Sequence, residues 1–135
     1  MANNIITMKN LIVDATRDKI FLTLIVSKNI YTCSHENSKI NFERLMVLLN
    51  DFLKINSSSL DQIDAIYVNR GPGSFAGIRN SLATTKALFL TKKINYYCFS
   101  FKDFMGFEEV KYEEVPSLCE KFKIKKNLIN PLYLS

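Results

Sequence analysis

Arg70-Gly71-Pro72-Gly73-Ser74-Phe75-Ala76-Gly77-Ile78-Arg79 holds three of the chain's four glycines and one of its three prolines within ten residues. An alternating, β-branched run (Ala65-Ile66-Tyr67-Val68-Asn69) leads into it, and apolar-periodic positions (Ile78, Leu82, Thr85, Phe89) lead out. That pattern reads as strand, tight turn and helix. Gly71, Pro72, Gly73 and Gly77 are the loop-forming residues, and Ser74 is placed to cap the helix through its hydroxyl. The first-turn amides point out of the helix start. Such a loop can accept an anion or pack against another backbone.

Three known loops do not fit. No Gly-Lys-Ser/Thr follows at P-loop spacing. The glycines read G-x-G-x-x-x-G, one residue too long for the dinucleotide fingerprint. Ser74 directly follows Gly73, so G-x-S-x-G is absent as well.

At 135 residues, 47% hydrophobic and 23% charged, the chain reads as one globular domain without a membrane partner. No apolar run reaches the roughly 18–20 residues that span a bilayer. Met1-Ala2-Asn3-Asn4 lacks the layout of a signal peptide, so the cytoplasm is the expected compartment. Cys33, Cys98 and Cys119 are widely spaced and read as buried free thiols. The net charge of +5 is densest at Lys121, Lys123, Lys125 and Lys126. A basic face can assist RNA binding, and solvation of the tail is the simpler reading.

Outward from the loop, residues 1–9 form a polar lead-in. Strands are expected at 11–13, ending in Asp14-Ala15-Thr16, and at 20–26 and 30–34. Three-residue polar turns join them into an antiparallel meander. Phe42, Leu45, Met46, Leu48, Leu49, Phe52 and Leu53 predict a helix over 42–54 capped by Asn41. A fourth strand at 64–70, a helix over 74–90 and a fifth strand at 94–99 follow. A helical turn at 101–107 and a short helix at 116–122 close the pattern. The order β-β-β-α-β-α-β predicts an α/β fold: a single ribonuclease H-like lobe, half of the actin, sugar-kinase and Hsp70 architecture. It combines a three-stranded meander with parallel strands and right-handed helical crossovers.

The chemistry-bearing residues are sparse. A nuclease of this fold needs about four carboxylates around two metals. Here Asp14 stands at a strand end, Asn69-Arg70 at the next, and Glu43 on the first helix. Asp14 is expected to tie the strand tip to backbone amides. A Ser74, His35, Asp14 triad can be drawn, but no motif supports it. No catalytic residue, metal site or cofactor is predicted. Both main helices carry more apolar positions than one core stripe needs, and Ala83 and Ala87 are small enough for close helix approach.

The stretch 70–79 resembles that of the TsaB family, which usually has Thr where this chain has Ala76. Asp14-Ala15-Thr16 stands where the family reads Ile-Asp-Thr-Ser, and Pro131-Leu132-Tyr133-Leu134 resembles its closing Pro-x-Tyr-Leu. The likeness runs from Leu11 to about Phe107. Some twenty-five residues then replace a second lobe, giving a lobe at 1–107 and a remnant at 108–135. By this resemblance Asp14 and Thr16 are a vestigial phosphate loop, with Ala15 where glycine would admit a phosphate, and ATP binds weakly or not at all. The lone His35 cannot make the paired histidines with which the related TsaD holds a metal. The resemblance further implies a non-catalytic scaffold that pairs with a TsaD homologue, with TsaE joining, for threonylcarbamoyl transfer to the tRNA adenosine beside the anticodon. The tRNA is then met indirectly, through the complex. The pairing surface would comprise Leu45, Leu48, Leu49 and Phe52 on the first helix. On the second it would comprise Ser74, Phe75, Ile78, Arg79, Leu82 and Thr85. A self-associating homodimer is the alternative, and a residual hydrolase a third.

Overall fold

The computed structural model describes residues 8–133. Five strands form one sheet in the order β3-β2-β1-β4-β5. β1 (Lys9–Asp14), β2 (Lys19–Val26) and β3 (Asn29–Glu36) make the antiparallel meander. β4 (Ala65–Asn69) runs parallel to β1, and β5 (Asn95–Phe99) parallel to β4. This is an α/β sheet of the ribonuclease H-like type.

Strand periodicity divides the core in two. On one face Leu11, Val13, Leu22, Leu24, Ile66 and Val68 meet the helices α2 (Leu45–Ile55) and α3 (Phe75–Lys92). On the other, Ile12, Tyr67 and Phe99 meet Phe104 and the tail helix α4 (Val115–Lys121) through Val115, Leu118 and Cys119. β1 is central and its Leu11, Ile12 and Val13 are buried on both sides, which is why it reads as a continuous apolar run. Each such side chain contributes about 1.5–3 kcal/mol relative to exposure.

The helix expected over 42–54 begins earlier. α1 (Lys39–Glu43) is capped by Ser38, whose hydroxyl accepts from the Asn41 N–H at 3.3 Å. The Asn41 side chain instead donates to the Glu36 carbonyl at 2.7 Å. Arg44 then breaks the helix before α2 starts. The meander strands also run longer than expected, from Lys9, from Lys19 and to Glu36. Ser74 caps α3 as expected, accepting from the Gly77 N–H at 3.1 Å. Of the polar lead-in, positions 1–7 lie outside the described residues, as do Leu134 and Ser135. No described helix is long and apolar enough to cross a membrane.

Candidate functional site

The C-terminal tips of β1 and β4 meet at Asp14, whose side chain is fully buried. Oδ1 accepts from the Thr16 N–H at 3.0 Å and the Thr16 hydroxyl at 2.7 Å. Oδ2 accepts from Asn69 Nδ2 at 3.1 Å and from the Tyr112 hydroxyl at 2.6 Å. Arg17 lies 3.9 Å from Oδ2 and donates to the Tyr112 oxygen at 2.8 Å. A buried carboxylate is tolerable when it is hydrogen-bonded on all sides, and this one is. Burial first, then the Asp14 charge, pushes the Tyr112 hydroxyl above its ordinary range, so Tyr112 is a donor here. Asp14 thus ties the strand tip to a backbone amide, that of Thr16. Its partner set extends beyond backbone amides to Asn69 and Tyr112.

The glycine corner is used for backbone packing. A Cβ at Gly77 would overlap the Ala15 carbonyl oxygen, and one at Gly71 (φ +115°) the Leu132 carbonyl. The Ser74 N–H donates to the Thr16 carbonyl at 2.7 Å, and the Leu132 N–H to the Arg70 carbonyl at 2.7 Å. The Gly71-Pro72 peptide is cis, and Gly73 sits against Thr16. Of the two uses open to this loop, the described chain makes the second: it seats α3 on the β1 tip and binds the tail.

The helix surface differs from the predicted one. Leu45, Leu48, Leu49, Phe52, Ile78, Leu82 and Thr85 are all buried in the chain's own core, so they have no side chain left for a partner. The excess apolar positions fill the space between sheet, α2 and α3. The Thr85 hydroxyl donates to the Ser81 carbonyl at 2.8 Å and is satisfied inside the helix. Only Phe75 and Arg79, of the ten predicted contact residues, are exposed, and Ser74 is half-buried. They continue along α3 as a stripe through Ala83, Ala87 and Leu90. Phe75 is 57% and Leu90 63% exposed, and α3 contains no acidic residue. The Phe75 ring is flanked by Tyr133, 4.7 Å between centroids, and by the Arg79 guanidinium at 5.7 Å. A groove of about 380 Å³ between α1 and α3 adjoins it, lined by Lys39, Phe42, Glu43, Ala76, Arg79 and Asn80.

Ser74, His35 and Asp14 are not brought together. The Ser74 oxygen caps α3, and the nearest polar partner of His35 is the Cys33 sulfur at 3.8 Å. Among the described residues no group of three His, Cys, Asp or Glu side chains could hold a metal ion. Tyr112 is the site residue that sequence reading missed. It lies in a charged stretch with no periodicity, 98 positions from the carboxylate that it meets. Arg70 forms a two-point ion pair with Asp103, at 2.7 and 3.3 Å.

Comparisons with known proteins bear on the family and the fold. The model of a family described as "TsaD: tRNA N6-adenosine threonylcarbamoyltransferase" matches residues 35–103, just over half of the chain. The tRNA threonylcarbamoyladenosine biosynthesis protein TsaB of Buchnera aphidicola subsp. Baizongia pistaciae (strain Bp) is 34% identical over 65 residues. That match takes in 42% of this chain and 29% of TsaB. YeaZ from Pseudomonas aeruginosa superposes with a TM-score of 0.63 at 22% identity, covering 69% of this chain and 44% of YeaZ. A second Pseudomonas aeruginosa structure, described as an uncharacterized protein with similarity to peptidase YeaZ, gives 0.63 and 22%, with 69% and 43% covered. The chain therefore spans less than half the length of these relatives.

Proposed function

This chain belongs to the TsaD (tRNA N6-adenosine threonylcarbamoyltransferase) family and is TsaB/YeaZ-like within it, and from that premise we propose that it is a non-catalytic scaffold subunit in tRNA threonylcarbamoyladenosine biosynthesis. It works in the cytoplasm by pairing with a TsaD homologue, and TsaE joins the pair. The observation that carries this reading is the outer face of α3. Phe75, Ala83, Ala87 and Leu90 leave an apolar, acid-free stripe beside the α1–α3 groove. Small residues let a second helix approach closely, and exposed aromatic and leucine side chains supply the area to bury.

The absence of a chemical role is supported by Asp14, whose oxygens are occupied by the chain's own donors. The same reading leaves no call on a nucleotide, because the strand-tip backbone at Ala15 faces Gly77. Size-exclusion chromatography tests the pairing. The chain should elute as a monomer alone and in a 1:1 complex when mixed with a TsaD homologue. A dimer that ignores TsaD would replace the scaffold by the self-associating module. Leu82→Glu is unsuited to such a test, since Leu82 is 4% exposed and the charge would enter the core.

A further inference from the structure

Residues 119–132 strap the open edge of β5, and Asn127 stands in for a neighbouring strand there. At φ +60°, its N–H donates to the Tyr96 carbonyl at 2.7 Å, and its Oδ1 accepts from the Tyr96 N–H at 2.8 Å. Upstream, the Ile124 N–H donates to the Cys119 carbonyl at 2.9 Å and the Lys123 N–H to the Glu120 carbonyl at 3.1 Å. The segment between is held at both ends. It walls a pocket of about 260 Å³ with Arg70, Cys98, Asp103, Lys123, Lys125 and Asn130 on its lining.

The charges in that pocket are unequal. The Arg70 guanidinium is occupied by Asp103, and its Nη1 donates to the Asn130 carbonyl at 3.3 Å. Lys123 and Lys125 are exposed and have no carboxylate within ion-pair distance among the described residues. Lys121 and Lys126 flank them, and Glu120 is the one acid in 120–126. The geometry points to a phosphate pocket for the RNA backbone, with Lys123 and Lys125 as its charged contacts. This rests on the reading that the protein serves a tRNA-modifying complex. Lysine ammoniums are point charges suited to phosphate oxygens. The cavity takes one phosphate and its sugar, and no aromatic ring lines it to stack a base, so the contact positions RNA without reading sequence. A strap fixed at both ends lowers the ordering cost of that contact.

Fluorescence anisotropy with a labelled, unmodified tRNA transcript tests this on the full chain. Lys123→Gln with Lys125→Gln should weaken binding about tenfold at low salt. It should also reduce the slope of log affinity against log salt by about 0.7–0.9, one phosphate's worth. Lys123→Arg with Lys125→Arg should retain binding. The charge-matched Lys19→Gln with Lys28→Gln, at the start of β2 and in the β2–β3 turn, should lose less than twofold. Equal losses in the two Gln pairs, an unchanged slope, or displacement of the RNA by phosphatidylserine vesicles would overturn the assignment. Co-elution of the same variants with a TsaD homologue is read separately. Failure there with the salt effect intact removes only the pairing, and the reverse removes only this pocket.

Discussion

Asp14 and Tyr112 form the tightest polar contact at the strand tips, at 2.6 Å. Removing the hydroxyl leaves a buried carboxylate short of one donor, which costs about 1.5–3 kcal/mol for a hydrogen bond to a charged group. Tyr112→Phe should lower the urea midpoint accordingly. The sign with pH follows from the direction of the shift. The folded state holds the Tyr112 proton more tightly than the ordinary pKa of 10.0. Its contribution is therefore complete below pH 10 and is lost as pH rises beyond it. The wild type should lose more stability than Tyr112→Phe over that alkaline range, and parallel losses would refute the contact. Burial likewise pushes the Cys98 thiol up to about 11 and Cys119 up to about 12. A thiol-alkylating reagent should modify only the half-buried Cys33 quickly in the native chain, and all three cysteines after unfolding. Asp14 was legible as a polar strand tip because a continuous apolar run ends on it. Tyr112 was not, since no local pattern marks a partner brought in by the tail.

The elements were legible wherever their signals are local. Strand, glycine corner, serine cap and periodic helix all sit within Ala65–Asn69 and Phe75–Lys92 and the turn between them, and they fold as read. α1 was misplaced because Ser38 and Asn41 are both good caps, and the Glu36 carbonyl takes the Asn41 side chain. The pairing residues were misassigned for a different reason. Helical periodicity counts apolar positions but cannot tell how much of a helix its own fold covers. α2 uses Leu45, Leu48, Leu49, Phe52 and Leu53 entirely inward. At this scale Gly77 is the element joint. Alanine is the better helix former by about 1 kcal/mol, yet its Cβ would strike the Ala15 carbonyl, which is backbone and cannot rotate away. Gly77→Ala should destabilise by about 2 kcal/mol or more in chemical denaturation. A variant as stable as the wild type would mean that α3 is not seated on β1.

At the scale of the molecule, the sheet is covered on one face by α2 and α3 and on the other by the segment expected to be a remnant at 108–135, as far as its described residues run. That segment supplies Val115, Leu118 and Cys119 to the second core, ties Leu132 to the glycine corner and sets Tyr133 on Phe75. Its packing could not be inferred from a charged stretch with one short helix. The outer stripe of α3 is among the surfaces that the two layers leave uncovered. Ala83 is exposed there, so Ala83→Glu alters the surface and not the core. Its effect on folding should be about 0.5 kcal/mol from helix propensity. An unpaired charge buried in a helix seam costs about 3 kcal/mol or more, roughly a hundredfold in affinity. The decisive measurement is calorimetric titration of a TsaD homologue with wild type and Ala83→Glu. Binding at least a hundredfold weaker is expected, with a melting temperature lowered by only about 2–3 °C, and equal affinities would rule out the α3 stripe as the pairing surface.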